Sequence, residues 1–175
     1  MFSAENRKIV IYIFVSFLLW RTALLLITFF GISVLPIHFP LEGINIPVNQ
    51  SIQYWQRWAN WDGGHFTGIA AHGYLPIQAV FLPLYPLLIK MVSLFHISIF
   101  WSGFLLANFF CVTTLFFLYK LALLEFNERI AKNVIFLFLI FPTSFYLGAV
   151  YSESLFLTLV LASFFFFRKK KICFT

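Results

Sequence analysis

The chain alternates between long apolar segments and short polar connectors, and this alternation is the strongest structural signal in the sequence. Stretches of about 18 or more apolar residues are long enough to cross a bilayer as helices. The first stretch covers 9–35, and Arg21 is its one charged residue. The others cover 101–120, 133–150 and 151–168. The pattern predicts an all-α fold, namely a single membrane domain built as a polytopic transmembrane helical bundle.

A further apolar stretch at 81–95 is short and contains two prolines and Lys90. Apolar stretches of about 10–14 residues are more often interfacial or re-entrant than membrane-spanning. Basic residues collect on the cytoplasmic side of membrane proteins. Arg7 and Lys8 precede the first span and are expected on the cytoplasmic side. The basic residues after position 119 lie on the same side only if 81–95 does not cross the membrane. We therefore expect about four crossings, an outer loop at 36–100 with interfacial helices, and a cytoplasmic basic tail at 169–175.

Composition agrees with this topology, because 62% of the residues are hydrophobic and 10% are charged, against about a quarter charged in soluble domains. The net charge of +6 does not indicate a nucleic-acid partner, since the bases lie mostly between apolar runs and act as topology signals. Cys111 and Cys173 do not predict a disulfide framework. The first apolar run is too long for a cleaved signal peptide, so we interpret it as a retained span.

The stretch NWDGGHFTGIAAHGY at 60–74 collects polar residues and glycines that are scarce elsewhere in the chain. Its spacing predicts a short helix over 63–72, with Asp62 as the N-cap and Gly73 as the stop. A second interpretation is chemical. A carboxylate held beside Trp61 at the bilayer surface would be partly desolvated and therefore a stronger proton acceptor. The two interpretations are compatible, because a capping carboxylate also has a fixed position.

His65 lies in the first turn of the same predicted helix. Asp62 and His65 supply only two ligands, so the sequence indicates a divalent metal weakly. His65 is equally suited to donate to a phosphate, helped by free N–H groups at the helix start. Arg21 lies deep in the first span, where a cation needs a partner: a lipid phosphate, Asp62, Glu153 or backbone carbonyls. Glu153 begins the last span, where the alternative role is helix capping.

Three motifs resemble those of PIG-V-type mannosyltransferases, the glycosylphosphatidylinositol mannosyltransferase II family and its prokaryotic relatives. They are WDGGHFTGIAAHGY at 61–74, FLPLYPLLI at 81–89 and FPTSFYLGAVYSESLF at 141–156, in the order seen in the family. The resemblance covers about residues 55–168. It implies a GT-C fold whose active site lies at the non-cytoplasmic face. Members of the family are longer and have more spans, so the chain resembles a truncated or N-terminal part.

The resemblance also implies a reaction. A hexose, by analogy mannose, would pass from a polyprenyl- or dolichyl-phosphate sugar to a glycolipid or glycan acceptor, with inversion of the anomeric centre. Trp61 and Asp62 match the essential pair, with Asp62 as the general base, and His65 is the third catalytic candidate. A cation would offset the charge of the leaving phosphate. The candidate substrate-binding residues are Arg21, Arg57, Tyr85, Lys90, Tyr151 and Glu153.

Two other classes of function stay open. One is a non-catalytic membrane subunit, or an inactive fragment, of such an enzyme; a second membrane subunit would then be a partner, and the isolated chain need not be active. The other is a small transporter or flippase, which would need paired acids or broken helices at mid-membrane. We rank it last, because apart from Arg21 and Lys90 the apolar runs are nearly free of charge. In each case we expect a multi-pass membrane protein, in the plasma membrane of a prokaryote or the endoplasmic reticulum of a eukaryote.

Overall fold

The computed structural model describes residues 4–34 and 54–172, and this described part of the chain is helical and contains no β-strand. The first part of the predicted outer loop, the tip of the basic tail and Cys173 lie outside the described residues. Short 3₁₀ segments cover Arg57–Ala59, Pro76–Gln78 and Pro142–Gly148. The α-helices are α1 (Ala4–Val34), α2 (Asp62–His72), α3 (Leu84–Ser93), α4 (Ile99–Glu125), α5 (Glu128–Ile140) and α6 (Glu153–Ile172).

Two of the described helices are long and apolar enough to cross a membrane: α1, over Arg7–Val34, and α4. A third span forms if α5 and the segment Pro142–Gly148 are counted together, although the pair is bent by 87°. Helix α6 contains an apolar stretch at 154–167, followed by basic residues. The structure thus supports a helical membrane bundle, and the four crossings stay a prediction.

The bend divides the segment 133–150, which the sequence presents as one continuous apolar run. Helix α5 ends at Ile140, and Phe141 adopts an extended conformation with φ −61° and ψ 134°. The cause is Pro142, because a proline disfavours the helical conformation of the residue before it and lacks an N–H of its own. The chain therefore turns away before it reaches the 149–151 segment.

Helix α3 has ten residues, fewer than a crossing helix needs, and the expectation that 81–95 does not span stays a prediction. Its inner side is buried and consists of Tyr85, Pro86 and Ile89. The Tyr85 hydroxyl donates a 3.0 Å hydrogen bond to the carbonyl of Gly103 in α4. Helix α3 is therefore fixed along the start of the second long helix.

Helix α4 is the centre of the bundle and packs against α3, α5 and α6. Its contact with α6 is polar as well as apolar. The Thr114 hydroxyl donates to the carbonyl of Ser154 at 3.0 Å and lies 2.9 Å from the Thr158 hydroxyl. Hydroxyl groups of this kind hydrogen-bond across helices inside membranes. They fix the start of α6, and with it the turn that precedes it.

Candidate functional site

Two segments far apart in sequence meet at one end of the bundle. They are the loop at 58–63 and the turn at 149–151. The N–H of Val150 donates to the carbonyl of Trp58 at 2.7 Å. Gly63 permits this approach, because a Cβ at that position would lie 3.0 Å from the Val150 carbonyl oxygen and 3.3 Å from Cε1 of Tyr151. The two outer segments that the sequence places on the same face are thus in direct contact.

The entry into α2 is a strained tight turn. Trp61 has φ 49° and ψ −117°, and the Gly63 N–H donates to the Asn60 carbonyl at 3.1 Å. These values describe a type II′ turn with Trp61 at the position that favours glycine. A non-glycine residue there costs about 1–3 kcal/mol. The indole is 77% exposed, so burial of the side chain does not compensate for the strain.

This geometry corrects the expected N-cap. Helix α2 begins at Asp62, the cap position is occupied by Trp61, and no side-chain capping hydrogen bond is present. The structure confirms the predicted stop at Gly73, whose φ is 84°. The Asp62 carboxylate is exposed and accepts no hydrogen bond from a described residue. Its position next to Trp61 therefore comes from the turn, and its lone pairs are not used for capping.

The backbone amides at the start of α2 are largely occupied. The Gly64 N–H donates to the Trp61 carbonyl at 2.9 Å, and the His65 N–H reaches the same carbonyl at 3.3 Å. The Gly63 N–H is used in the turn. The expected phosphate contact with free amides at the helix start therefore lacks these three donors, and an anion at this site needs side-chain partners.

The pKa of Tyr151 and that of Glu153, at the start of α6, are both raised, first by burial and then by the charge of Asp62. Glu153 is half-buried. The charge of Glu153 in turn reaches Tyr85, whose pKa is raised above its ordinary value first by burial and then by this carboxylate. The Tyr85 hydroxyl therefore keeps its proton as a hydrogen-bond donor. Asp62 and Glu153 thus lie in one electrostatic environment, bordered by two tyrosines.

A groove of about 370 Å³ opens beside the turn. Its polar side is formed by Arg57, Asn60 and Tyr151, and the indoles of Trp58 and Trp61 line it as well. A second groove of about 490 Å³ runs between α1 and the bend after α5, and most of its lining is apolar. The residues shared by the two grooves are Leu24 and Ile27. The grooves therefore meet along α1.

Arg21 is buried behind this region and does not line either groove. It continues the buried face of α1 formed by Ile9, Ile13 and Phe17, each four residues from the next. Its guanidinium carbon lies 4.0 Å from the centre of the Trp58 ring. None of its three nitrogens has a hydrogen-bond acceptor among the described residues. Arg21 is therefore held by an aromatic face, a contact worth about 2 kcal/mol when it is desolvated.

His65 lies one turn along α2 from Asp62. Its ring stacks on Phe81, with centroids 4.9 Å apart, and its Nδ1 lies 3.3 Å from Nε2 of Gln78. Gln78 is 6% exposed, and the sequence does not single it out, because the residue stands alone in an apolar context. A lone polar residue inside an apolar run is the sequence signal that could have identified it, because such a side chain needs a hydrogen-bond partner once it is buried.

The remaining candidates are less directly connected to the groove. Lys90 is an exposed residue on α3, and the described contacts do not join its side chain to Asp62 or to the groove. Asp62 and His65 supply two potential metal ligands, and no group of three or more histidine, cysteine or acidic residues capable of holding a metal occurs within 4–34 and 54–172. The structure thus brings together Arg57, Trp61 and Tyr151 at the groove, with Asp62 and Glu153 beside them.

Comparison with known proteins agrees with the motifs. Residues 8–172 match the family described as Mannosyltransferase (PIG-V). No curated protein and no solved structure matches the chain significantly. The family match includes both segments of the site and confirms the resemblance seen in the sequence. The chain, a membrane protein with two or three apolar spans in its described part, belongs to the PIG-V mannosyltransferase family.

Proposed function

We propose that this protein transfers mannose from a polyprenyl-phosphate sugar to a hydroxyl group of a glycolipid or glycan acceptor, at the non-cytoplasmic membrane face. Membership of a mannosyltransferase family supports the reaction class. The observation that carries the finer proposal is the junction of a polar groove with an apolar one along α1. A lipid-linked sugar has the same two parts, a polar head and a long apolar chain.

In this proposal the lipid and the head group of the donor occupy different grooves. The polyprenyl chain lies in the apolar groove between α1 and the bend after α5. The phosphate and sugar then reach the polar groove past Leu24 and Ile27. Arg57 lines that groove, and a guanidinium forms strong charge-assisted hydrogen bonds with phosphate oxygens. The exposed indole of Trp61 offers an apolar face to the sugar ring.

Asp62 is the general base in this proposal. Its carboxylate takes the proton of the acceptor hydroxyl as that oxygen bonds to the anomeric carbon. The bond from the anomeric carbon to the phosphate oxygen breaks, and the phosphate keeps the electron pair. Attack and departure occur on opposite faces of the sugar, so the configuration inverts. Arg57 offsets the charge that develops on the phosphate.

Replacing the carboxylate by an amide tests this role. Membranes that contain the Asp62→Asn protein are incubated with a polyprenyl-phosphate mannose donor and acceptor lipids, and transferred mannose is measured. We expect a loss of at least about 100-fold, the usual contribution of a general base, with unchanged protein abundance. Glu128→Gln is the matched control, because Glu128 is exposed and pairs with Lys132 within the α5 helix.

Unchanged transfer by Asp62→Asn would contradict the assignment. If that variant is fully active and the protein co-purifies with a second glycosyltransferase, the non-catalytic subunit becomes the better description.

A further inference from the structure

The side chain of Gln78 has a defined orientation. The backbone N–H of Leu75 donates to Oε1 of Gln78 at 3.0 Å. Because a backbone N–H only donates, the atom that faces it is the amide oxygen. The amide nitrogen of Gln78 is consequently the atom that lies 3.3 Å from Nδ1 of His65.

This orientation determines where His65 carries its proton. An amide NH₂ group only donates, so Nδ1 of His65 accepts and has no hydrogen of its own. A neutral imidazole has one N–H, which is then on Nε2. If Nδ1 carried the proton, two donors would face each other in a part-buried contact, which is unfavourable because neither N–H would have an acceptor.

The surrounding segment holds this pair in place. Phe81 stacks on the His65 ring with an interplanar angle of 27°, and the Phe81 N–H donates to the Gln78 carbonyl at 3.0 Å. The Tyr74 hydroxyl donates to the Phe81 carbonyl at 2.8 Å. The segment from 74 to 81 therefore fixes both the plane of the imidazole and the amide that contacts it.

We propose that Gln78 is a positioning residue that fixes His65 as its Nε2–H tautomer, so that His65 donates a hydrogen bond to a substrate oxygen. This inference rests on the proposed function and sharpens it. While the contact with Gln78 is intact, Nδ1 is occupied and Nε2 carries a hydrogen, so His65 has no free nitrogen to accept a proton. The general base is then the neighbouring carboxylate, Asp62.

The tautomer is measured directly by nitrogen NMR on the full-length protein, labelled with ¹⁵N-histidine and reconstituted in lipid bilayers, with His65→Ala used to assign the signal. We expect the Nε2–H form in the wild type. Gln78→Glu keeps an oxygen for the Leu75 N–H but places a second acceptor against His65, and should move a proton to Nδ1. Gln56→Glu is the control, because Gln56 is exposed and should leave the signal unchanged.

Transfer assays separate positioning from packing. We expect Gln78→Glu to lower kcat about tenfold, equivalent to one hydrogen bond, with little change in KM. In a His65→Ala background the same substitution should cause no further loss, because Gln78 acts through His65.

A wild-type signal from the Nδ1–H form, or a signal that Gln78→Glu leaves unchanged, would overturn the inference. Additive losses in the double variant, or a switched tautomer with unchanged transfer, would also overturn it. Failure of the proposed function has a different signature. Asp62→Asn would then transfer mannose at the full rate, while NMR would still show the Nε2–H form of His65 and its change in Gln78→Glu.

Discussion

The Tyr151 hydroxyl donates a 3.0 Å hydrogen bond to the backbone carbonyl of Asn60, across 91 positions of sequence. Asn60 is the first residue of the strained turn that places Trp61 and Asp62, and Tyr151 belongs to the turn that leads to Glu153. This bond therefore joins the two halves of the candidate site. The Asn60 carbonyl also accepts a hydrogen bond from the Gly63 N–H, so the geometry of the turn depends on both hydrogen bonds.

Tyr151→Phe removes this bond and leaves the ring. We expect the free energy of unfolding to fall by about 1 kcal/mol, the net value of one hydrogen bond, and transfer to decrease because the turn at Trp61 loosens. Thermal unfolding in detergent and mannose transfer measure the two effects. Tyr146→Phe is the matched control, since Tyr146 stacks on Tyr151 and its hydroxyl has no hydrogen bond to a described residue. Equal effects of the two variants would argue against the bond.

Because the backbone at Trp61 is strained, we expect one substitution there to differ from another in stability while both abolish activity. Trp61→Gly removes a side chain from a conformation that glycine adopts readily, whereas Trp61→Ala keeps the strain. Both lose the exposed indole, so the comparison isolates the backbone. We expect the free energy of unfolding of the glycine variant to exceed that of the alanine variant by about 1 kcal/mol, which thermal unfolding measures as a higher midpoint temperature. Both variants should lose mannose transfer. A glycine variant no more stable than the alanine variant would contradict strain at this turn.

The close approach at Gly148 predicts opposite effects for two glycine-to-alanine changes. A Cβ at Gly148 would overlap the Arg21 guanidinium and lie 3.2 Å from Cη2 of Trp20, whereas a Cβ at Gly31 meets nothing within 4 Å. Gly148→Ala should destabilise the protein by about 1–3 kcal/mol through overpacking. Gly31→Ala, inside α1, should stabilise it by about 0.5–1 kcal/mol. Thermal unfolding of both variants under one condition provides the measurement, and similar shifts would refute the contact.

Part of this architecture could be predicted from the sequence. The apolar runs and the glycine at 73 indicated the helical class and the stop of α2, because hydrophobic length and a missing Cβ act locally. The motifs indicated the family. The contact between the Val150 N–H and the Trp58 carbonyl could not be predicted in the same way, since it depends on how distant segments pack.

Other features were obscured by their residue types. A tryptophan in a turn position that favours glycine contradicts local preference, so the pattern indicated an ordinary cap at Asp62 instead. The bend at Pro142 was visible as a proline, but the apolar run continues on both sides and hides the break. Gln78 carries no motif, and its importance follows from burial and from the direction of one hydrogen bond.

The last prediction concerns Arg21 and separates the contribution of its packing from that of its charge. Its guanidinium lies on the Trp58 ring without a hydrogen-bond acceptor among the described residues. Arg21→Met keeps an apolar stem of similar length and removes a buried charge, so we expect stability equal to or above the wild type. Arg21→Lys should lower the free energy of unfolding by about 1–2 kcal/mol, because an ammonium is more strongly hydrated and does not stack.

Transfer by the same two variants shows how Arg21 serves the site. If Arg21 acts by ordering Trp58 at the groove, Arg21→Met keeps transfer within about tenfold, a change of about 1.4 kcal/mol, and Arg21→Lys loses more. If the side chain acts through its charge on the donor phosphate, Arg21→Lys keeps more transfer than Arg21→Met, since lysine keeps that charge. Abolished transfer in a stable Arg21→Met protein would therefore contradict the packing role, and steady-state rates with polyprenyl-phosphate mannose decide between the two.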